Sequence, residues 1–216
     1  MKIHVILAST RPGRVGDRVA RWVTVAAKQR ADFSVKLVDL ADFDLPQFNE
    51  SASPRFNSDR RPDPGVARWL ATAAEADGYI FVTPEYNHSI PGVLKNAIDY
   101  LDFQIAKKPA AIVSYGSVGG ARAAEHLKNI LVEAKAAVVP EAVAILGRVG
   151  ELMAEDGTWV GDTSSRRAPQ AALDVTLTEL AWWTHAQSRP RRPGCSGCGR
   201  LRSHRLKART VVRLLR

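Results

Sequence analysis

The sequence predicts an α/β protein in which a doubly wound, five-stranded parallel sheet lies between two layers of helices. Short β-branched runs alternate five times along the chain with segments whose apolar residues repeat at helical spacing. Several of the runs are apolar almost throughout, as in strands that are buried on both faces. The chain has 216 residues, of which 45% are hydrophobic, enough for one large core. We therefore expect a three-layer α/β/α sandwich.

The elements of the first half follow this alternation. "KIHVILAS" is read as the first strand, "VGDRVARWVTVAAKQR" as the first helix and "FSVKLVDLADF" as the second strand. A polar, proline-rich connection follows, "DLPQFNESASPRFNSDRRPDPG". Connections of this length are uncommon in compact domains, and those that occur are usually functional or mobile.

The second half repeats the pattern three times. "VARWLATAAEAD" and "GYIFVTP" give the second helix and third strand, and "SIPGVLKNAIDYLD" and "KKPAAIVSYGS" give the next pair. "GGARAAEHLKNILVEAKA" predicts a helix, "AVVPEAVAIL" a fifth strand and "SRRAPQAALDVTLTELAWWTHAQ" a final helix. Pro140 lies inside the fifth strand and cannot donate to a sheet ladder, which predicts an edge strand or a bend.

Three loops are expected to form any ligand site. In parallel sheets of this kind, ligands bind beyond the carboxyl ends of the strands, where the strand order reverses. The loops that leave central strands there contain "STRPGR", "PEYNHS" and "YGSVGG". If they converge, Arg11 and Tyr86 must lie on the same side of the molecule.

The first loop, "ASTRPGRVG", has the chemistry of a phosphate site at a helix N-terminus. It offers hydroxyl groups, guanidinium groups and glycines that let the backbone approach a ligand: Ser9, Thr10, Arg11, Gly13, Arg14 and Gly16. It matches neither the dinucleotide pattern G-x-G-x-x-G nor the P-loop, which favours a mononucleotide phosphate. A helix cap with two solvated arginines is the alternative.

The second and third loops suit a flat heterocycle. In "TPEYNHS", Pro84 fixes a turn, Ser89 can cap the next helix, Tyr86 offers an aromatic face and Asn87 can donate and accept hydrogen bonds. A polar turn with one packed tyrosine is the alternative, and we expect His88 to be a surface residue. In "YGSVGGAR", the backbone is kept bare next to a hydroxyl by Gly116, Ser117, Gly119 and Gly120.

Composition excludes several function classes. The segment 189–216 contains ten Lys or Arg and no acidic residue, and the remaining chain has 21 basic and 22 acidic side chains. The net charge of +9 is thus no sign of nucleic-acid binding by the body of the protein. Cys195 and Cys198 both lie in that segment, so the body has no thiol nucleophile. No secretory signal or membrane span is predicted, which suits a cytoplasmic protein.

The segments "ASTRPGRVGDRVARWV", "TPEYNHSIPGVLKNAIDYL" and "VSYGSVGGARAAEHL" resemble the NAD(P)H-dependent FMN reductases of flavodoxin-like fold, which include azo-dye, quinone and chromate reductases. The resemblance covers roughly residues 1–187. It implies bound FMN, with NADPH or NADH as co-substrate. Its phosphate would lie on Ser9, Arg11, Arg14 and the N–H groups that reach Gly16. Many members carry a serine where this chain has Arg14.

The resemblance also assigns the ring contacts. The isoalloxazine would lie against the second loop, with the third loop on its other flank. The complete set of cofactor-binding residues that we predict is Ser9, Arg11, Arg14, Val15, Gly16, Pro84, Glu85, Tyr86, Asn87, Ser114, Tyr115, Gly116, Ser117, Gly119 and Gly120. No catalytic side chain and no metal ligand is expected, because the cofactor carries the redox chemistry.

The reaction expected from the resemblance is ping-pong. Hydride would pass from NAD(P)H to flavin N5, and the acceptor would then take the place of the nicotinamide. Free flavin, a quinone, an azo dye and chromate remain open as acceptors, and Phe48 and Phe56 of the long connection could cover the flavin. A flavodoxin, which carries electrons without being an enzyme, is the alternative reading.

Domain organisation and partners complete the expectations. We predict one FMN-binding domain over 1–187 and a basic tail, 188–216, that is disordered or peripheral. The tail could alternatively bind nucleic acid or a membrane surface, although basic tails are usually only solvated. The resemblance implies a homodimer or homotetramer, a small-molecule electron acceptor and, in some members, a flavin-dependent monooxygenase partner.

Overall fold

The computed structural model describes residues 1–57, 60–161 and 164–188. Five parallel strands form one sheet in the order β2-β1-β3-β4-β5. The strands are β1 (Lys2–Leu7), β2 (Ser34–Asp39), β3 (Gly78–Pro84), β4 (Pro109–Gly116) and β5 (Ala137–Leu146). The doubly wound five-stranded sheet predicted from the sequence is confirmed. The predicted tail, 188–216, lies outside the described residues apart from Ser188, the last residue of the final helix.

Helices cover both faces of the sheet. They are α1 (Gly16–Lys28), α2 (Pro64–Glu75), α3 (Gly92–Asp99), α4 (Ala121–Glu133), the four-residue α5 (Val149–Leu152) and α6 (Ser164–Ser188). Two short 3₁₀ turns, Leu40–Asp42 and Pro54–Phe56, lie in the connection after β2. Within the described residues, no helix is both long and apolar enough to cross a membrane.

Alternation along the strands divides the core into two layers. Ile6 and Phe81 pack with α2, α3 and α4 on one face of the sheet, while Val5 and Ile80 pack with α1 and α6 on the other. Because successive strand residues point to opposite faces, strands that serve both layers must be apolar at nearly every position. All seven residues of β3 are buried, which explains its continuous apolar sequence.

Pro140 lies in the edge strand, as its missing N–H predicts. β5 pairs only with β4, and the register between these strands shifts between Ala110 and Ile112, which pair with Val138 and Ala142. Pro140 therefore falls in the irregular part of the ladder, where an absent donor costs little.

One buried histidine should make stability depend on pH. His4 in β1 is 2% exposed, and burial, reinforced by the charge of Lys36, lowers the pKa of its imidazole below 6.5. The unfolded chain therefore binds a proton at His4 more readily than the folded chain does. Stability from this group is present above pH 6.5 and is lost as the pH falls from there towards the folded pKa.

We expect urea unfolding of the wild type to show a lower free energy of unfolding at pH 5.5 than at pH 7.5. His4→Leu, which cannot titrate, should reduce this difference. The exposed His88→Asn serves as the control, because Asn tolerates the positive φ of that position. An unchanged pH dependence in His4→Leu would show that other groups are responsible.

Candidate functional site

The three predicted loops meet at the carboxyl end of the sheet. The guanidinium carbon of Arg11, in the loop after β1, lies 5.6 Å from the centroid of the Tyr86 ring, in the loop after β3. The hydroxyls of Ser9 and Tyr115 are 3.3 Å apart and join the loop after β1 to the end of β4. A cationic loop and an aromatic side chain therefore face one common region, as the sequence predicts.

The N-terminus of α1 is open. Val15 occupies the N-cap position, and in the described part of the chain no side chain caps this helix. The first N–H groups of a helix have no partner within the helix and carry a partial positive charge. Arg11 is exposed, and among residues 1–57, 60–161 and 164–188 it has no carboxylate partner within ion-pair distance. Unpaired donors and an unpaired cation suit an anion.

Gly16 and Tyr115 fit closely together below this helix end. A Cβ atom on Gly16 would collide with the Tyr115 hydroxyl and would lie 2.5 Å from Ser9 Oγ. Burial raises the pKa of the Tyr115 phenol well above its ordinary value, so the hydroxyl stays protonated. Ser9 is fully buried and its hydroxyl is hydrogen-bonded to that of Tyr115, so the pair keeps one neutral O–H donor next to the helix end.

The loop after β3 is a tight turn. Tyr86 and Ser89 exchange backbone hydrogen bonds of 2.9 and 3.0 Å, and the two residues between them, Asn87 and His88, have φ values of 49° and 66°. Positive φ at both central positions is the pattern of a type I′ turn. Asn87 and His88 are exposed, while Tyr86 is half-buried with its ring against Arg11. His88 is thus a surface residue, as expected.

Two contacts of this turn were not predicted from the sequence. Ser89 does not cap α3, because its hydroxyl lies 2.7 Å from Nδ1 of His126 on α4. Glu85, which we predict to contact the cofactor, accepts hydrogen bonds from the backbone N–H and side chain of Arg122 at 3.1 and 2.6 Å. Hydrogen bonding to the Arg122 guanidinium lowers the pKa of the Glu85 carboxyl. Both contacts fasten the turn to α4.

The loop after β4 packs on its own strand. Ser114 is buried and its hydroxyl donates to the carbonyl of Gly119 at 2.8 Å, so this side chain holds the loop rather than facing outward. The backbone of Gly116 is half-buried and Ser117 is exposed. Gly116 also faces Glu85, whose Cβ would lie 3.6 Å from a Cβ at this glycine. The loop offers bare backbone and one free hydroxyl to the same cleft.

The long connection after β2 packs its two phenylalanines against other elements. Phe48 lies edge-on against Tyr100 at 5.3 Å. Phe56 lines a groove with His126 and Glu133 of α4, and His126 contacts Ser89 of the Tyr86 turn. That these two rings cover the flavin stays a prediction.

Two contributors to the site were not predicted from the sequence. Asp39, at the end of β2, pairs with Arg14, so the loop after β2 belongs to the same region. The segment 147–160 packs on α1: Arg18 donates to the carbonyl oxygens of Gly150 and Met153 at 3.1 and 2.7 Å. The rule that placed the other loops could have identified Asp39, because β2 is the neighbour of β1.

The chain matches the family model described as NADPH-dependent FMN reductase over residues 1–150. It is 38% identical over 144 residues to a fission yeast NAD(P)H-dependent FMN reductase, covering 67% of this chain and 72% of the relative. It is 36% identical over 142 residues to a quinone reductase of Escherichia coli, covering 61% and 70%. The flavoenzyme FerB, an NAD(P)H:acceptor oxidoreductase of Paracoccus denitrificans, superimposes with a TM-score of 0.67 at 25% identity, covering 86% of this chain and 98% of FerB.

The chain belongs to the NADPH-dependent FMN reductase family. It is an FMN-dependent NAD(P)H oxidoreductase with a flavodoxin-like fold. The alternative of a non-enzymatic electron carrier is not supported, because the family and these relatives are named for enzymes.

Proposed function

We propose that the three loops hold FMN, with its phosphate at the N-terminus of α1 and its isoalloxazine between the Tyr86 turn and the 116–120 loop. The observation that carries the proposal is the 5.6 Å contact between Arg11 and Tyr86, because it joins the anionic and the aromatic subsites.

At the phosphate end, the open N–H groups from Val15 to Asp17 and the Arg11 guanidinium supply donors and positive charge. The hydrogen-bonded pair of Ser9 and Tyr115 hydroxyls adds one neutral donor. Each charge-assisted hydrogen bond contributes about 1.5–3 kcal/mol, so a few of them hold a phosphate firmly. Gly16 keeps the space free in which these groups meet.

At the ring end, the predicted contacts are Pro84, Glu85, Tyr86 and Asn87 on one flank and Gly116, Ser117, Gly119 and Gly120 on the other. Ser117 and Val118 are the exposed residues of the 116–120 loop, and their backbone N–H groups would be placed to stabilise negative charge at the pyrimidine edge of the ring. Glu85 stays ionised by its bond to Arg122 and therefore holds the turn in place. The buried Ser114 supports this flank indirectly, because its hydroxyl donates to the carbonyl oxygen of Gly119.

FMN held there would supply the two-electron chemistry between NAD(P)H and an acceptor, and the reduced acceptor would also gain one solvent proton. We propose a small quinone as acceptor, since one relative is named a quinone reductase and another, from a Burkholderia species and 36% identical, a 2-hydroxy-1,4-benzoquinone reductase. Arg11, Asn87 and Ser117 are exposed, so donor and acceptor can reach the ring position from solvent in turn.

Absorbance and steady-state kinetics test the proposal. FMN-loaded protein should show oxidised-flavin bands that NADPH bleaches without oxygen and that benzoquinone restores. Initial rates at several concentrations of both substrates should give parallel double-reciprocal lines, as shared use of one site requires. Intersecting lines would contradict the shared position, and failure of NADPH to bleach the bands would contradict the proposed function.

The oligomeric state and the cellular location of the protein stay predictions. A groove between α3 and α4 is lined by apolar Ile98 and Ile130 and by the charged side chains of Lys95 and Glu133. Its mixed lining does not distinguish a subunit interface from other surface, so the homodimer or homotetramer rests on the family resemblance alone. The flavin-dependent monooxygenase partner, the cytoplasmic location and the division into domain and tail rest on the sequence alone.

A further inference from the structure

Arg14 is already engaged by groups of its own chain. Its guanidinium makes a two-pronged contact with Asp39: Nη1 donates to Oδ1 at 2.9 Å and Nη2 donates to Oδ2. Nη1 also donates to the carbonyl oxygen of Ser9. The two side chains are only 19% and 21% exposed, so the pair is largely shielded from solvent. Asp39 additionally accepts from the N–H of Ala41 at 2.9 Å, which anchors the carboxylate to the turn after β2.

The pair ties the anion-binding loop to the sheet. β2 and β1 are neighbours, with Leu7 opposite Asp39 in the parallel ladder. Through Arg14, the end of β2 therefore holds the carbonyl of Ser9, the residue whose hydroxyl faces Tyr115. Arg14 lies between Gly13, whose φ is +69°, and the uncapped start of α1. Loss of the pair would free the loop at the point where it turns into the helix.

The pair also changes the electrostatics of the site. Asp39 neutralises Arg14, and Asp17 in the first turn of α1 adds another negative charge. Arg11 is thus left as the cation without a carboxylate partner in the described part of this loop. A negative Asp39 close to a phosphate would weaken binding if its charge alone mattered. Its two-pronged contact with Arg14 and its bond to the N–H of Ala41 indicate a geometric role.

We infer that Asp39 is a positioning residue of the FMN phosphate site, acting through Arg14 to hold the Ser9–Arg14 loop open for the anion while Arg11 meets the charge. This inference rests on the proposed phosphate site. It assigns Arg14 to the support of the loop instead of to direct phosphate contact. If only the charge of Asp39 mattered, removing the carboxylate would strengthen FMN binding. If Asp39 positions the loop, removing it should weaken FMN binding, so the two alternatives can be tested.

The test is an equilibrium titration of the full-length apoprotein with FMN and, separately, with riboflavin, which lacks the phosphate. For Asp39→Asn we expect the FMN dissociation constant to rise about 5- to 10-fold, a change of about 1–1.4 kcal/mol, with riboflavin changed less than twofold. Arg14→Ala should behave alike, and the double variant should be no weaker than the weaker single variant, because both remove one link. Asp39→Glu should recover most of the affinity.

A matched control lies at the opposite end of α1. Arg30 and Asp32 form a similar two-pronged pair, with both contacts at 3.1 Å. Asp32→Asn should leave FMN and riboflavin binding unchanged. A general loss of stability would instead weaken both ligands together and lower the melting temperature, so the ratio of the two constants separates positioning from folding.

Tighter or unchanged FMN binding in Asp39→Asn would overturn the inference and make Asp39 a competitor or a bystander of the phosphate. If Asp39→Asn does not fold, Arg14→Lys tests the same inference, and we expect it to weaken FMN binding. Lysine keeps the charge but cannot make the two-pronged contact, so FMN binding unchanged in Arg14→Lys would indicate a direct charge contact. Failure of the wild type to bind FMN would defeat the proposed function itself, which is a distinguishable result.

Discussion

Replacing Arg11 by Gln should weaken FMN binding about 10- to 100-fold and leave riboflavin binding unchanged. Arg11 is the exposed cation of the loop, and within the described residues its guanidinium lies over the Tyr86 ring without a carboxylate partner. Losing charge-assisted hydrogen bonds worth about 1.5–3 kcal/mol corresponds to that range, since each 1.4 kcal/mol is a factor of ten. The measurement is quenching of flavin fluorescence on titration with apoprotein, at low and at high salt.

A second arginine controls for loss of a cation above an aromatic ring. Arg30 lies over Phe33 at 5.0 Å, close to the arrangement of Arg11 over Tyr86. Arg30→Gln should not change the affinity for FMN. Equal loss of FMN and riboflavin affinity in Arg11→Gln would show that the residue shapes the ring subsite instead of binding the phosphate.

Replacing Gly120 by Ala should destabilise the protein by about 2–4 kcal/mol and displace the 116–120 loop. Gly120 has a φ of +71°, where an L side chain is strained, and its added Cβ would lie 2.8 Å from the backbone nitrogen of Tyr115 and from Ser114 Cβ. Relief requires the loop to move away from β4. The melting temperature should fall by about 5–15 °C, and FMN should bind more weakly.

The Gly13→Ala variant separates the cost in stability of backbone strain from the cost of a steric collision. Gly13 has a nearly identical φ of +69°, but in the part of the chain that the structure describes a Cβ there would meet nothing within 4 Å. Its cost in stability should therefore be limited to about 1–2 kcal/mol of backbone strain. Equal melting temperatures for the two variants would mean that the close packing of Gly120 on β4 contributes nothing.

The sequence predicted the parts of the fold that have strong periodicity. Strands such as β3, buried along their whole length, and the edge position of Pro140 follow directly from pattern and from the missing N–H. The segment 147–160 was missed because its order comes from long-range contacts. Its α5 has four residues, and Gly157 fits against the backbone of Arg18 and Trp22 in α1. Neither feature has a local pattern.

The convergence of the three loops was predictable from the sequence, and the contacts between their side chains were not. The rule that ligands bind at the carboxyl ends of strands selected the loops that contain Arg11, Tyr86 and Gly116 before their chemistry was considered. The ion pair between Arg14 and Asp39 could not be predicted, because Arg11 and Arg14, three positions apart, look equivalent in the sequence. Only the neighbouring end of β2 shows that Arg14 faces Asp39 whereas Arg11 faces the cleft.

A crystal structure of the FMN complex tests the proposed cofactor site most directly. We predict phosphate oxygens within about 2.7–3.2 Å of the Ser9 hydroxyl and of N–H groups in the first turn of α1, with Arg11 beside them. The ring should lie between the Tyr86 turn and the backbone at Gly116 and Ser117. Flavin density in the groove between α3 and α4, or a phosphate remote from both Ser9 and Arg11, would contradict the proposed site.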